Sequence, residues 1–146
     1  MNKHDQDSTH VVKTICKAAI LNAHGQALLL RRSKTHPTLA LQWDLPGGTW
    51  YEGSYEETLL REVEEETGLH AQHLKLWHAN PELQENGTYK LFVSYIARAH
   101  GETITLSKEH DMYAWVGPHD AAEYQLPLVW ESVLRGALDL YPNLRL

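Results

Sequence analysis

The sequence predicts an α/β (α+β) domain in which helices pack on a mixed β-sheet. Three observations carry that prediction. Segments of strand and helix character follow one another in the order strands, helix, strands, helix. At 146 residues the chain is as long as one domain that buries its own core. Its 42% hydrophobic and 22% charged residues match ordinary globular proteins and exclude disordered, collagen-like and coiled-coil chains. The expected organisation is a flexible polar tail over residues 1–10 and a single domain over 11–146.

The elements follow in order. Val11 to Asn22 (VVKTICKAAILN) is β-branched and apolar, Ala23-His24-Gly25-Gln26 turns it, and Ala27 to Arg31 is a second apolar strand, so a hairpin is expected. Arg32 to Gln42 shows neither period and contains Pro37, which reads as a surface loop before a short strand at Trp43 to Leu45. Pro46-Gly47-Gly48 then breaks the chain. Ser54 with Glu57 three residues on is a capping box, and Gly68 is a C-terminal stop, which bounds a helix over Tyr55 to Thr67. His70 to Asn80 and Thr88 to Arg98 are long strands joined across Pro81 to Gly87, whose Asn86-Gly87 is turn chemistry. A polar loop from Gly101 to Asp111 leads into a strand at Met112 to Val116, and Leu128 to Leu140 has apolar residues at helical spacing.

Composition narrows the function classes. No run of eighteen apolar residues occurs, and the polar opening has no apolar signal stretch, so the expectation is a soluble cytoplasmic protein without a membrane partner. A lone cysteine, Cys16, excludes an internal disulfide and any multi-cysteine zinc site. The net charge of −6 offers no basic footprint for a nucleic-acid polymer. A small phosphate compound brought in with a divalent cation is compatible with it. A second copy of the chain, as a homodimer, is left open.

Seven glutamates and one arginine, Arg61, lie between Glu52 and Glu66. Glu56 and Glu57 suit a helix's first turn and need no other reason. Glu62, Glu65 and Glu66 stand at i, i+3 and i+4, so their like charges converge on one stripe. Leu59, Leu60, Val63 and Thr67 form the neighbouring stripe that packs on the sheet, which brings the carboxylates to the edge of the core. A hard divalent cation reverses that repulsion, since Mg²⁺ and Mn²⁺ take oxygen ligands and keep places for water and phosphate. A solvated acidic face is the alternative. The upstream glycine pair favours the ligand reading, because it lets backbone approach a bound group closely.

The run from Gly47 to Leu69 (GGTWYEGSYEETLLREVEEETGL) resembles the Nudix box, G-x5-E-x7-R-E-U-x-E-E-x-G-U with U apolar. Arg61 to Leu69 matches its second half at every position, and Trp43 to Gly48 (WDLPGG) is similar to the lead-in of many members. The first half departs from the pattern. Twelve residues separate Gly48 from Arg61 where the pattern has thirteen, and the first motif glutamate falls on Ser54 or on Gly53 according to register. It is missing either way, as if the loop had lost one residue, and Glu52 replaces it only if the loop rearranges. That glutamate is generally accessory in the family, so weakened activity is the expectation before abolished activity.

The resemblance to the Nudix hydrolase family (MutT-like) implies a Nudix-type α/β/α sandwich with a mixed β-sheet over about residues 11–140. It implies hydrolysis, dependent on Mg²⁺ or Mn²⁺, of a nucleoside diphosphate linked to another moiety, with a nucleoside triphosphate or oxidised purine nucleotide favoured. Carried over by position, Glu65 and Glu66 are principal metal ligands, Glu62 a further ligand or water-activating group, and the Gly48 carbonyl a backbone ligand. Arg61 holds the glutamates by charge-assisted hydrogen bonds. Glu109, in the loop before the next strand, is the candidate for one more carboxylate, as ligand or base, against a solvated loop acid. Arg31 and Arg32 are candidates for a substrate phosphate and Trp50 and Tyr51 for a base; Trp43, Trp130 and Cys16 read as core. The ten histidines show no metal-ligand spacing, and most read as surface or strand residues. Two rival functions remain: a weakened or inactive Nudix-fold nucleotide-binding module, and an isomerase of allylic diphosphates, for which Cys16 sits on the wrong kind of segment.

Overall fold

The computed structural model describes residues 10–140. Of the expected tail, residues 1–9 lie outside the described residues, as do 141–146 of the expected domain. His10 already belongs to the fold, its carbonyl accepting a hydrogen bond from the Tyr89 amide at 3.0 Å.

β1 (Val11–Leu21) and β2 (Ala27–Arg32) form the expected hairpin. Asn22 shapes its turn, since Asn22 Oδ1 accepts from the amides of His24 and Gln26 at 2.9 and 3.0 Å. Beyond the pair Leu21 and Ala27 the two strands diverge. The gap is filled by β3 (Trp43–Asp44) on β2 and β4 (Gly47–Trp50) on β1. On its other edge β1 runs parallel to β6 (Tyr89–Ala99) along its whole length. β5 (Ala71–Leu83) is antiparallel to β6, and β7 (His110–Val116) is antiparallel to β2. The result is a mixed seven-stranded sheet, forked between β1 and β2.

Alternation along the strands separates two cores. Cys16, Ala18 and Ile20 of β1, with Leu28 and Leu30 of β2 and Val93, Tyr95 and Ala97 of β6, pack against Leu59 and Val63 of α1 (Tyr55–Thr67). The intervening Ala19, Leu21, Leu29 and Ile96 pack against Trp130, Val133, Leu134 and Ala137 of α2 (Leu128–Leu140). Burial on both faces explains why β1 and β2 read as continuous apolar runs. Cys16 lies fully buried in the first core, which pushes its thiol up to about 11. Among the described residues no helix is long and apolar enough to cross a membrane.

Both helices keep the expected bounds, and four details differ. The glycine pair opens a strand, β4, because it pairs with Lys17 and Cys16 of β1. Pro81 lies inside β5, opposite Leu91, which is tolerated because β5 is an edge strand and proline needs no partner there. β7 starts two residues early, with His110 opposite Arg32. Leu60 is exposed, since the inward line of α1 runs through Leu59, Val63 and Glu66.

Ser54 caps α1 as expected, its Oγ accepting from the Glu57 amide at 3.0 Å. Ser54→Ala should therefore cost about 1 kcal/mol of stability. The check is urea unfolding, where the midpoint should fall and the slope should stay the same.

Candidate active site

A cleft of about 830 Å³ opens beside the fork. Its floor is the α2-facing side of β1 and β6, with Lys13, Ile15, Lys17, Lys90 and Phe92; one wall is α1 and another is the start of α2. β4 carries Gly47 and Gly48 to its rim, where two of the three predicted glutamates reach over from α1.

The helix divides the glutamate stripe. Glu66 sits on its inward line and is 3% exposed. The Gly47 amide donates to Glu66 Oε1 at 3.1 Å. Glu62, one turn earlier, is largely buried against Gly48, where a Cβ would stand 2.7 Å from the Glu62 carboxyl carbon. Any side chain at Gly48 would displace that carboxylate. Glu65 stays on the outer flank with its side chain 59% exposed and does not line the cleft. Arg61 spans the two, with Nη1 3.2 Å from Glu62 Oε1 and 3.6 Å from Glu65 Oε1.

Glu109 and His110 enter from the opposite side, at the start of β7. Ligand atoms of Glu66, Glu109 and His110 lie within 4.8 Å of one another. His110 Nδ1 stands 3.6 Å from Glu66 Oε2, beyond hydrogen-bonding distance. Among the described residues it is the buried side-chain polar atom without a hydrogen-bond partner. His110 is a strand residue, within the reading given to the histidines, and from the start of β7 its ring lines the cleft.

Burial sets the electrostatics. It pushes the Glu66 carboxyl up to about 8, against the opposing pull of Lys17 and the Gly47 amide. Burial also raises Glu62, which Arg61 partly offsets. His110 is driven down to about 4, by burial first and then by Lys17, so its imidazole is neutral at neutral pH, the form that can bind a metal. Two buried carboxyls resist ionising and one buried nitrogen lone pair lacks a donor; a divalent cation relieves both conditions. The residues present therefore fit such an ion.

The nearby cations are committed elsewhere. Asp44 Oδ2 takes both Lys17 Nζ and Arg32 Nη1 at 2.8 Å, and Lys17 also donates to the Leu45 carbonyl at 3.1 Å. Arg32 makes further bonds to the Thr38 carbonyl and hydroxyl and meets His36 Nδ1 at 3.1 Å. It lines the cleft with each of its three guanidinium nitrogens engaged. Arg31 lies outside the cleft, held bidentate by Asp111 at 2.8 and 3.0 Å. Trp50 also turns away, donating its indole N–H to the Gly53 carbonyl at 2.8 Å and setting its edge on Tyr55. Tyr51, 80% exposed, stands on the rim. Trp43 packs edge-on against Tyr124. Trp130 is core as expected, and it forms part of the cleft floor beside Phe92.

Sequence reasoning missed Lys13, Lys17, Lys90, Asp44 and His110 in the cleft. A signal existed for two of these: Lys13 and Lys17 stand at i and i+4 in an apolar strand, hence on one face. Lys90 lies beside Lys13 in the parallel register, which no local pattern reveals.

The family model for the NUDIX domain matches residues 14–136. The nucleoside triphosphatase NudI of Klebsiella pneumoniae is 26% identical over 117 residues, 73% of this chain and 84% of that protein. The protein of the same name from Escherichia fergusonii is 27% identical over 126 residues, 79% and 89% respectively. Among solved structures, the MutT protein from Methanosarcina mazei Go1 is similar with a TM-score of 0.72 and 26% identity, covering 94% of this chain and 99% of that one. The NUDIX domain of Shewanella oneidensis NrtR, solved with ADP ribose, has a TM-score of 0.71 at 16% identity over 97% and 94%, a likeness of fold.

A buried glutamate that resists ionising weakens the metal-free fold. Its folded value near 8 exceeds the ordinary 4.5, so its penalty grows as pH rises through that interval. Glu66→Gln, whose amide can keep the Gly47 bond, should stabilise the protein in chelator by on the order of 2 kcal/mol at pH 7. The gain should shrink toward pH 5. Urea unfolding at both pH values checks this, and equal stability of the two proteins at pH 7 contradicts it.

Proposed function

The chain belongs to the NUDIX domain family, and from that premise we propose that it is a divalent-metal-dependent pyrophosphohydrolase of nucleoside diphosphate derivatives, nucleoside triphosphates first among them. The observation that carries this is the convergence of Glu62, Glu66 and Glu109 on one cleft. The curated relatives named nucleoside triphosphatase support the triphosphate preference.

On this reading Glu62, Glu66 and the Gly48 carbonyl would hold the ion, Mg²⁺ or Mn²⁺, with Glu65 as a further ligand from the outer flank of α1. The chemistry supplied by the bound ion is neutralisation of charge on the diphosphate oxygens and a lowered pKa for the attacking water. Glu109, at the mouth opposite α1, would be a further ligand to the ion or the acceptor of the proton that water gives up. Arg61 positions Glu62 and Glu65 through the contacts it already makes. Lys13 and Lys90, side by side on the floor, attract the phosphate chain as point charges. Phe92 with Leu128 and Val129 supplies an apolar wall for the base, and Tyr51 offers it a ring face at the rim. Arg31 and Trp50 take no part. A cytoplasmic setting, where nucleotides and these ions are abundant, suits the activity.

The missing motif glutamate gives the alternative its basis. Ser54 is occupied as the cap of α1, and Glu52 lies with Glu57 and Arg61 around a separate shallow basin. A panel of nucleoside triphosphates, oxidised purine nucleotides, ADP-ribose, dinucleotides and nucleotide sugars, assayed with Mg²⁺, Mn²⁺ or chelator, tests the proposal. Metal-dependent turnover is expected, with Glu66→Gln lowering kcat by at least about 100-fold. No turnover by a folded protein that binds nucleotide would establish the binding module instead.

A further inference from the structure

We infer that His110 makes the metal centre of this chain a mixed nitrogen and oxygen site, with His110 Nδ1 joining Glu66 and Glu109 as a ligand and biasing the site toward Mn²⁺ over Mg²⁺. The inference rests on the divalent-metal reading above and adds a ligand to it.

The geometry is that of a ligand set. Glu66 Oε1 is taken by the Gly47 amide, which leaves Oε2 for other use. Oε2 faces His110 Nδ1 at 3.6 Å. Two ligand atoms each about 2.1 Å from one ion stand roughly 3.0–3.4 Å apart at right or tetrahedral angles. The pair is therefore too far apart to share a proton and within a few tenths of an ångström of sharing an ion. A carboxylate oxygen of Glu109 completes a group of three ligand atoms, one from each residue, that lie within 4.8 Å of one another.

The nitrogen is also fixed in place. His110 pairs with Arg32 across the ladder, its ring lies against His36 at 6.4 Å between centroids, and its side chain is 3% exposed. A buried imidazole nitrogen without a partner is costly to keep, and no protein donor answers it: Lys17 and Arg32, the adjacent cations, are bound to Asp44. Mg²⁺ prefers an all-oxygen shell, whereas Mn²⁺ accepts carboxylate and binds imidazole more readily. A nitrogen donor placed among carboxylates thus changes which ion the site selects.

Pulsed electron paramagnetic resonance of Mn²⁺ bound to the full chain tests this directly, because a coordinated imidazole imprints nitrogen modulation on the manganese signal. Modulation is expected in the unaltered protein, should change frequency with ¹⁵N-histidine labelling, should vanish in His110→Gln and should persist in His36→Gln. Mn²⁺ affinity of His110→Gln should fall by at least about tenfold, with Mg²⁺ affinity changing less. Bound Mn²⁺ without nitrogen modulation, or modulation that survives in His110→Gln, overturns the inference while leaving the metal site standing. A folded protein that binds no Mn²⁺ overturns both readings. If His110→Gln fails to fold, modulation that persists in His36→Gln supports the inference, and its absence from the unaltered protein overturns it.

Discussion

The hydrogen bond from the Gly47 amide to the buried carboxyl of Glu66 is the constraint on which the rest of the structure depends. The inward line of α1 begins as an ordinary core stripe with Leu59 and Val63, then places a carboxyl where an aliphatic side chain would cost nothing. Burying that group is tolerable only with a donor in place. Gly47 provides the donor because β4 runs against β1 at that point, so close that a Cβ would stand 2.7 Å from Lys17 Cα. Its φ of +144° is likewise open to glycine and strained for other residues. Steric room for the strand and chemical support for the carboxyl come from the same residue.

That bond is reachable only because the sheet forks. Had β1 and β2 stayed paired past Leu21, no edge of β1 would be left for β4, and the glycine pair would not lie over α1. The fork carries its own ion pairs. Lys17 enters the gap from β1 and Arg32 from β2, and Asp44 of β3 binds both through a single oxygen. Each remaining cation bond goes to backbone or loop groups. The positive charge nearest Glu66 is therefore tied across the fork, and the cleft keeps a surplus of carboxylate on the α1 side.

How far the sequence reveals this depends on the range of the interactions. α1 is legible to the residue because its boundaries are set by contacts within one turn: Ser54 with Glu57 at one end, Gly68 at the other, where φ is +76° and the amide bonds back to Glu64. The convergence of Glu62 and Glu66 follows from helical spacing alone. What spacing does not contain is which side of the stripe faces inward, and so Leu60 is misplaced and Glu65 is grouped with its buried neighbours. β4 is hidden because a glycine pair signals a break locally, and only pairing with β1, thirty residues away in sequence, makes it a strand. His110 is hidden for the same reason. Nothing around it resembles a metal motif, and its partner Glu66 lies on another element.

The shortened loop fits the same logic. Between Trp50 and Ser54 the chain closes with Gly53 at a φ of +77°, and the Trp50 indole bonds the Gly53 carbonyl across that turn. A loop closed in this way delivers a small capping residue to the start of α1, and its one glutamate, Glu52, does not line the cleft. Of the carboxylates that line it, Glu62 and Glu66 come from the second half of the helix and Glu109 from the approach to β7. Glu66 is held by Gly47, Glu62 by Arg61, and Glu109 precedes the strand pairing of His110. Loss of a loop residue thus removes one carboxylate without loosening the others, because the cleft is braced by the fork and by α1.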